Sequence, residues 1–190
     1  HPVPGLSVDN FFRGGDTINQ LSGVLDYSFS EWRVRPVTGF DYTFTPTNPR
    51  PEAPSDVGGS LKVASFNVLN YFTTIDESGN LCGPEANFEC RGADSASELL
   101  RQTQKIVSAI CTIDADVVGL MELENPALGS TDTPIQALVD AINLECGEYA
   151  ALDTGSAGTD AITVGFIYKP AKVALTGTTA ILDDLSFTDP

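Results

Sequence analysis

The sequence predicts an α/β layered domain over residues 61–190, preceded by a small all-β segment, and three observations carry that prediction. Asp116-Val-Val-Gly-Leu120 is a short apolar run of the kind a strand covered on both faces shows, and it ends abruptly in Glu122, Glu124 and Asn125. Helical periodicity brackets that run on both sides, so strands and helices alternate. Upstream, residues 46–60 are rich in proline and glycine, which marks a semi-rigid linker between two differently patterned halves.

Residues 1–45 read as β structure. Phe11–Phe12, a turn at Arg13-Gly-Gly-Asp16, Ile18–Phe29 and Trp32–Val37 are short strand patterns joined by tight turns. They are too little to close a sheet alone, so this segment is expected to be the C-terminal part of an all-β domain, an OB-like barrel being one form of it. Phe11, Trp32 and Phe40 are expected as its core aromatics. The linker follows, and a new domain starts at Leu61.

Leu61–Phe66 is a predicted strand that ends in Asn67-Val-Leu-Asn70. A long loop, Tyr71 to Arg91, comes next; such length marks a functional or disulfide-held segment. Ser95-Ala-Ser-Glu98 is a capping box that opens a helix with Leu99, Ile106, Val107 and Ile110 on one face, and Asp114 ends it. After the central strand, Thr133 is an N-cap with Pro134 at the first helical position and Gln136 at the third. Ile135, Leu138, Val139 and Ile142 give that second helix its apolar face, and Cys146-Gly147 stops it. Tyr149–Leu152, Ile162–Tyr168 and Val173–Leu175 are predicted strands, so the order from Leu61 is β-α-β-α-β-β-β.

Composition sets the bounds. The chain carries a net charge of −16 and a pI near 4.1, so a general basic surface for nucleic acid is excluded. A metal-dependent phosphodiesterase is not, because its centre must itself be acidic to hold cations that meet the phosphate. The same charge also suits a solubilising surface in a salty medium. At 42% hydrophobic the chain can bury a core, and no apolar run reaches the length of a membrane span. The chain begins His1-Pro2 and ends after an acidic, strand-like segment, so both ends are expected to be cuts through something longer, with any signal peptide lost from the left.

The four cysteines, Cys82, Cys90, Cys111 and Cys146, form no C-x-x-C pair, and the single histidine is His1, which argues against zinc. Cys82 and Cys90 flank a loop, while Cys111 and Cys146 end the two predicted helices. Of three connectivities, Cys82–Cys90 with Cys111–Cys146 is the expected pairing, and it implies an oxidising, extracytoplasmic compartment. Four buried free thiols in a cytosolic protein is the alternative.

Two predicted strands thus end in oxygen ligands, Asn67 and Glu122. A helix crosses between them, so a right-handed β-α-β unit makes the strands parallel and sets both residues at one sheet edge. A carboxylate and an amide there suit a hard cation, Mg²⁺, Mn²⁺ or Ca²⁺, that keeps most of its waters. The bland alternatives are that Asn67 merely forms a turn and that Met121–Asn125 begins a solvated loop.

Ser65-Phe-Asn-Val-Leu-Asn-Tyr-Phe72, Arg91-Gly-Ala-Asp-Ser95, Gln104-Lys-Ile-Val107, Asp114–Asn125 and Asp160-Ala-Ile-Thr-Val-Gly-Phe-Ile-Tyr-Lys-Pro170 together resemble the first half of an endonuclease/exonuclease/phosphatase domain, and most of all that of large bacterial extracellular deoxyribonucleases. The likeness runs from Leu61 to Leu175. It implies a partial two-layer β-sandwich flanked by helices and a secreted bacterial enzyme that hydrolyses DNA with a divalent metal. Carried over by position, Glu122 is the acidic metal ligand, Asn67 the amide that helps hold the metal or the substrate phosphate, and Asp160 falls near where family members place a phosphate-contacting side chain, often tyrosine, the alternative being a plain strand-edge Asp. Arg91 reaches a phosphate or braces its loop. The family's catalytic histidine and later carboxylates belong to the second half of the domain, so this chain alone is expected to be inactive and to need that missing half or another chain. Rival readings are another phosphoesterase of the same fold acting on phospholipids or sugar phosphates, a non-catalytic secreted binding module, and a calcium-stabilised structural domain.

Overall fold

A computed structural model describes residue 7 and residues 11–39, 42–152 and 154–182. The chain forms two compact units, His1–Glu52 and Ala53–Pro190, and the division falls inside the proline-rich stretch.

The first unit holds β1 (Thr17–Asn19), β2 (Gly23–Ser28), β3 (Glu31–Pro36) and β4 (Thr43–Thr45) as two antiparallel pairs, β1 with β4 and β2 with β3. The Arg13–Asp16 turn forms as its residues require: the Asp16 N–H donates to the Arg13 carbonyl, and the Asp16 carboxylate accepts from the N–H groups of Arg13, Thr47 and Asn48. The stretch 18–29 is not one strand. Gln20, at φ 58°, breaks it into β1 and β2. In the β2–β3 pair the cross-strand partners Leu25↔Val34 and Tyr27↔Trp32 lie on one face and Asp26↔Arg33 on the other. A two-stranded ribbon cannot bury such a face, which corrects the expectation of core aromatics: Trp32 is 67% and Phe11 60% exposed, while Phe12, stacked on Phe44 at 4.2 Å, is the better packed ring. Phe40 lies outside the described residues.

The second unit is mixed α/β. Its elements are β5 (Val63–Tyr71), β6 (Leu81–Cys82), β7 (Phe88–Glu89), α1 (Ala96–Ile113), β8 (Val117–Glu124), α2 (Pro134–Glu145), β9 (Ala150–Leu152) and β10 (Ile162–Tyr168). The main sheet has the order β5-β8-β10-β9. β5 runs parallel to β8, as the crossover through α1 requires, and β10 is antiparallel to both β8 and β9.

Both helices pack on one face of this sheet. Ile106, Val107 and Ile110 of α1 and Ile135, Leu138, Val139 and Ile142 of α2 meet Val68, Val118, Leu120, Leu123 and Ile167 in one core. α1 starts as a capped helix should: the Ser95 hydroxyl accepts from the Glu98 N–H at 3.3 Å, Glu98 reaches back to the Asp94 N–H, and Asp114 closes the far end in a left-handed conformation. Among the described residues the opposite face of the sheet carries no helix, so the central run is not covered there on both sides as its sequence suggested. Val63, Val164 and Phe166 there are 68%, 61% and 48% exposed. On that face the Phe166 ring crosses Gly119 so closely that a Cβ would sit 3.3 Å from it, which explains a glycine inside a β-branched run.

Two further differences from the sequence reading stand out. The loop 71–91 contains the short β6–β7 hairpin, and residues 173–175 form no strand, since nothing in the described residues pairs with them. Both expected disulfides, Cys82–Cys90 and Cys111–Cys146, are present, the first buried beside the sheet and the second joining the ends of α1 and α2. Among the described residues no helix is long and apolar enough to cross a membrane.

Candidate functional site

Parallel β5 and β8, with antiparallel β10, bring the C-terminal ends of the first two strands and the N-terminal end of the third to one rim. There the regular ladder breaks. In β8 the partners of β10 skip from Met121 to Leu123, so Glu122 is the extra residue of a bulge, with φ 62°. Strict alternation would have sent Glu122 into the core behind Leu120. The left-handed residue instead turns Glu122 outward and returns Leu123 to the interior. β5 breaks at the same level: after Asn67↔Met121 the next pair is Tyr71↔Leu123, with Leu69 and Asn70 at φ 56° and 49° between them.

Non-glycine residues in this region cost roughly 1–2 kcal/mol each, so they persist only where hydrogen bonds fix them. Those bonds are present. The Leu69 N–H donates to Asn67 Oδ1 at 2.8 Å, and the Gln102 amide of α1 donates to the carbonyls of Val68 and Leu69 at 3.2 and 2.8 Å. The Asn70 N–H points at Glu122 Oε2, 3.1 Å away.

The structure therefore brings Asn67 and Glu122 into direct contact, Asn67 Nδ2 donating to Glu122 Oε1 at 2.6 Å. Two bonds settle which way the amide faces. Turned over, it would set its oxygen against a carboxylate and its NH₂ against the Leu69 N–H. The nitrogen faces Glu122, and the oxygen accepts from Leu69 and keeps its second lone pair. Each Glu122 oxygen accepts one bond and retains a further lone pair. Tyr71, which ends β5, is buried beside them, and burial pushes its phenol above the usual tyrosine range while Thr103 Oγ1 donates to it.

Asp160 stands at the same rim, in the loop that enters β10, and pairs with Arg91 (Nη2 to Oδ1, 3.1 Å) rather than with Asn67 or Glu122. Sequence reasoning missed what holds that loop. Asn125, wholly buried, donates from its amide to the carbonyls of Ala157 and Asp160 at 2.8 and 2.9 Å and accepts from the Ala157 N–H. An amide directly after a buried strand was the available signal. Among the described residues no group of three or more His, Cys, Asp or Glu side chains is arranged to hold a metal ion. Of the rim carboxylates described, Asp160 is paired with Arg91, and no ion pair reaches Glu122 among the described residues.

Comparison of the chain with protein-family models, with curated proteins and with solved structures finds no match.

Proposed function

We propose that Glu122 holds a hydrated divalent cation at this rim and that the chain serves a secreted, metal-dependent phosphodiesterase whose substrate is DNA. The observation that supports this most is the bulge that turns Glu122 out of the core into an outward carboxylate, oriented by the Asn67 amide and the Asn70 N–H with lone pairs to spare. A single well-oriented carboxylate is what Mg²⁺ or Mn²⁺ needs when it keeps most of its waters and meets a substrate phosphate. When bound, such a cation neutralises charge on the phosphate and activates water.

The chain's own residues supply the rest of the site. Asn67 positions Glu122. The Arg91 guanidinium, latched by Asp160, presents a planar fork suited to a phosphate. The finer reading of the fold is half of a two-layer sandwich, because the sheet face bearing Val63, Val164 and Phe166 is the face a second sheet would cover. The two disulfides fit an extracytoplasmic protein. Among the described residues the rim has no imidazole base, so the chain by itself should bind metal and DNA but cleave poorly.

The test is fluorescence anisotropy of a labelled DNA duplex with the wild-type chain and with Glu122→Gln, in Mn²⁺ and in EDTA. A chain of charge −16 repels DNA on its own, so binding should require Mn²⁺ and should be lost in the variant. Equal behaviour of the two chains, or binding that ignores the chelator, would reject the reading.

A further inference from the structure

We propose a second cation site, separate from the rim and independent of the nuclease reading, in which Glu124 binds Ca²⁺. Glu124 ends β8 and is only 6% exposed. Its Oε2 is well supplied, accepting from the Thr73 N–H at 2.7 Å and from the Thr73 hydroxyl and Thr74 N–H at 3.1 Å. Its Oε1 is not. Among the described residues the one group within hydrogen-bonding range is Cys82 Sγ, 3.5 Å away, and that sulfur is bonded to Cys90 and carries no proton to give.

Among the described residues no ion pair reaches Glu124. A buried carboxylate with one oxygen unmatched is costly, and a cation is the usual remedy.

Space for one lies beside it. A cavity of about 130 Å³ is bounded by Thr73, Thr74, Glu124, Ser130, Asp132 and Pro134, which is room for an ion and several waters. Pro134 sits at the amino end of α2, whose partial positive charge favours an anion and opposes a cation, and it has no N–H to give, so an ion there is held by the carboxylates of Glu124 and Asp132 against that field. The residues lining the cavity include two carboxylates, Glu124 and Asp132, and the hydroxyl-bearing Thr73, Thr74 and Ser130, on an irregular loop where the Ser130 hydroxyl donates to the Asp132 carbonyl. An uneven shell of this kind suits Ca²⁺, which takes six to eight oxygens flexibly, better than Mg²⁺, which demands an octahedron. An ion there would tie three segments together: the end of β8, the loop before α2 and the disulfide-bearing hairpin.

The experiment titrates CaCl₂ into the oxidised ¹⁵N-labelled chain, with calorimetry run in parallel on wild type, Glu122→Gln, Glu124→Gln and Asp132→Asn. Glu122→Gln should retain one Ca²⁺ site, with amide shifts centred on Thr73, Thr74, Ser130 and Asp132. Asp132→Asn should weaken that site about tenfold or more, and Glu124→Gln should abolish it. Should Glu124→Gln fail to fold, Glu122→Gln and Asp132→Asn still decide, because neither alters the hydrogen bonds that Glu124 accepts. Shifts confined to Asn67–Asn70, unchanged affinity in Asp132→Asn, or no response at millimolar Ca²⁺, meaning that water alone fills the cavity, would each overturn the proposal.

Discussion

Removing the Cys111–Cys146 link should weaken the second unit more than removing Cys82–Cys90, and the loops they close say by how much. The sequence separations are 35 and 8 residues. In the chain-entropy account a cross-link withdraws about 2.1 cal/mol/K plus 1.5R times the logarithm of loop length from the unfolded ensemble. A loop of about 36 residues then contributes about 3.8 kcal/mol at 25 °C, and one of about 9 residues about 2.6 kcal/mol. Cys82 and Cys90 are buried, so replacing them would add a packing loss that obscures the comparison. Each link compared oxidised and reduced, its thiols kept free by excess phosphine without alkylation, with the other pair replaced by alanine in both arms, isolates the cross-link.

Urea unfolding should be followed by far-UV circular dichroism, because both helices lie in the second unit, whereas the single tryptophan, Trp32, reports on the first. With a urea dependence of about 2 kcal/mol/M, loss of the longer link should lower the midpoint by about 2 M. A shift below about 0.5 M, or one smaller than the Cys82–Cys90 link produces, would refute the idea that this link acts by confining the unfolded chain.

Two further outcomes are expected. Asn67→Asp keeps an oxygen to accept the Leu69 N–H but sets a second carboxylate against Glu122, so melting in EDTA should fall by the equivalent of about 1–2 kcal/mol and recover more steeply with Mn²⁺ than the wild type does; parallel metal responses would contradict that geometry. At the opposite edge of the sheet, the Lys169 ammonium donates to Asp114 and holds its carboxyl below the usual range. Burial pulls Lys169 down, but Asp114 and Tyr149 outweigh it and keep the amine above its usual value. The depressed acid stabilises above about pH 4 and loses that contribution as pH falls through its folded value, while the raised amine contributes below about pH 10.4 and loses it as pH climbs through its own. Lys169→Met should therefore flatten both limbs of a stability–pH curve, by well under about 1 kcal/mol because Asp114 is largely exposed.

The helices and the parallel pairing of β5 with β8 were readable because their signals are local: a capping box at Ser95, a proline at the start of α2, and apolar residues at helical spacing. Cysteine placement at helix ends and around one loop likewise predicted both links. The rim was readable only in part. Asn67 and Glu122 were located as strand-end residues, yet both lie within strands; the outward Glu122 accepts from Asn67 and Asn70, and the matching break in β5 accepts from Gln102, bonds that no short window contains. Trp32 misled because aromatic alternation describes a face and does not say whether anything covers it. Residues 173–175 misled for the reverse reason: a strand needs a partner, and propensity alone supplies none. Glu124 was noted only as an acid at a strand's end, and its three donors come from residues about fifty positions earlier.

Because Asn125 grips the approach to β10 by its backbone alone, the side chains between residues 154 and 160 are unconstrained by that grip. Apart from Ser156, whose hydroxyl donates to the Pro126 carbonyl, and Asp160, which pairs with Arg91, their length and character can drift, or be rewritten by grafting, while the root of the loop stays anchored to the sheet. Variation in what the loop displays is thereby uncoupled from the backbone anchor at its root.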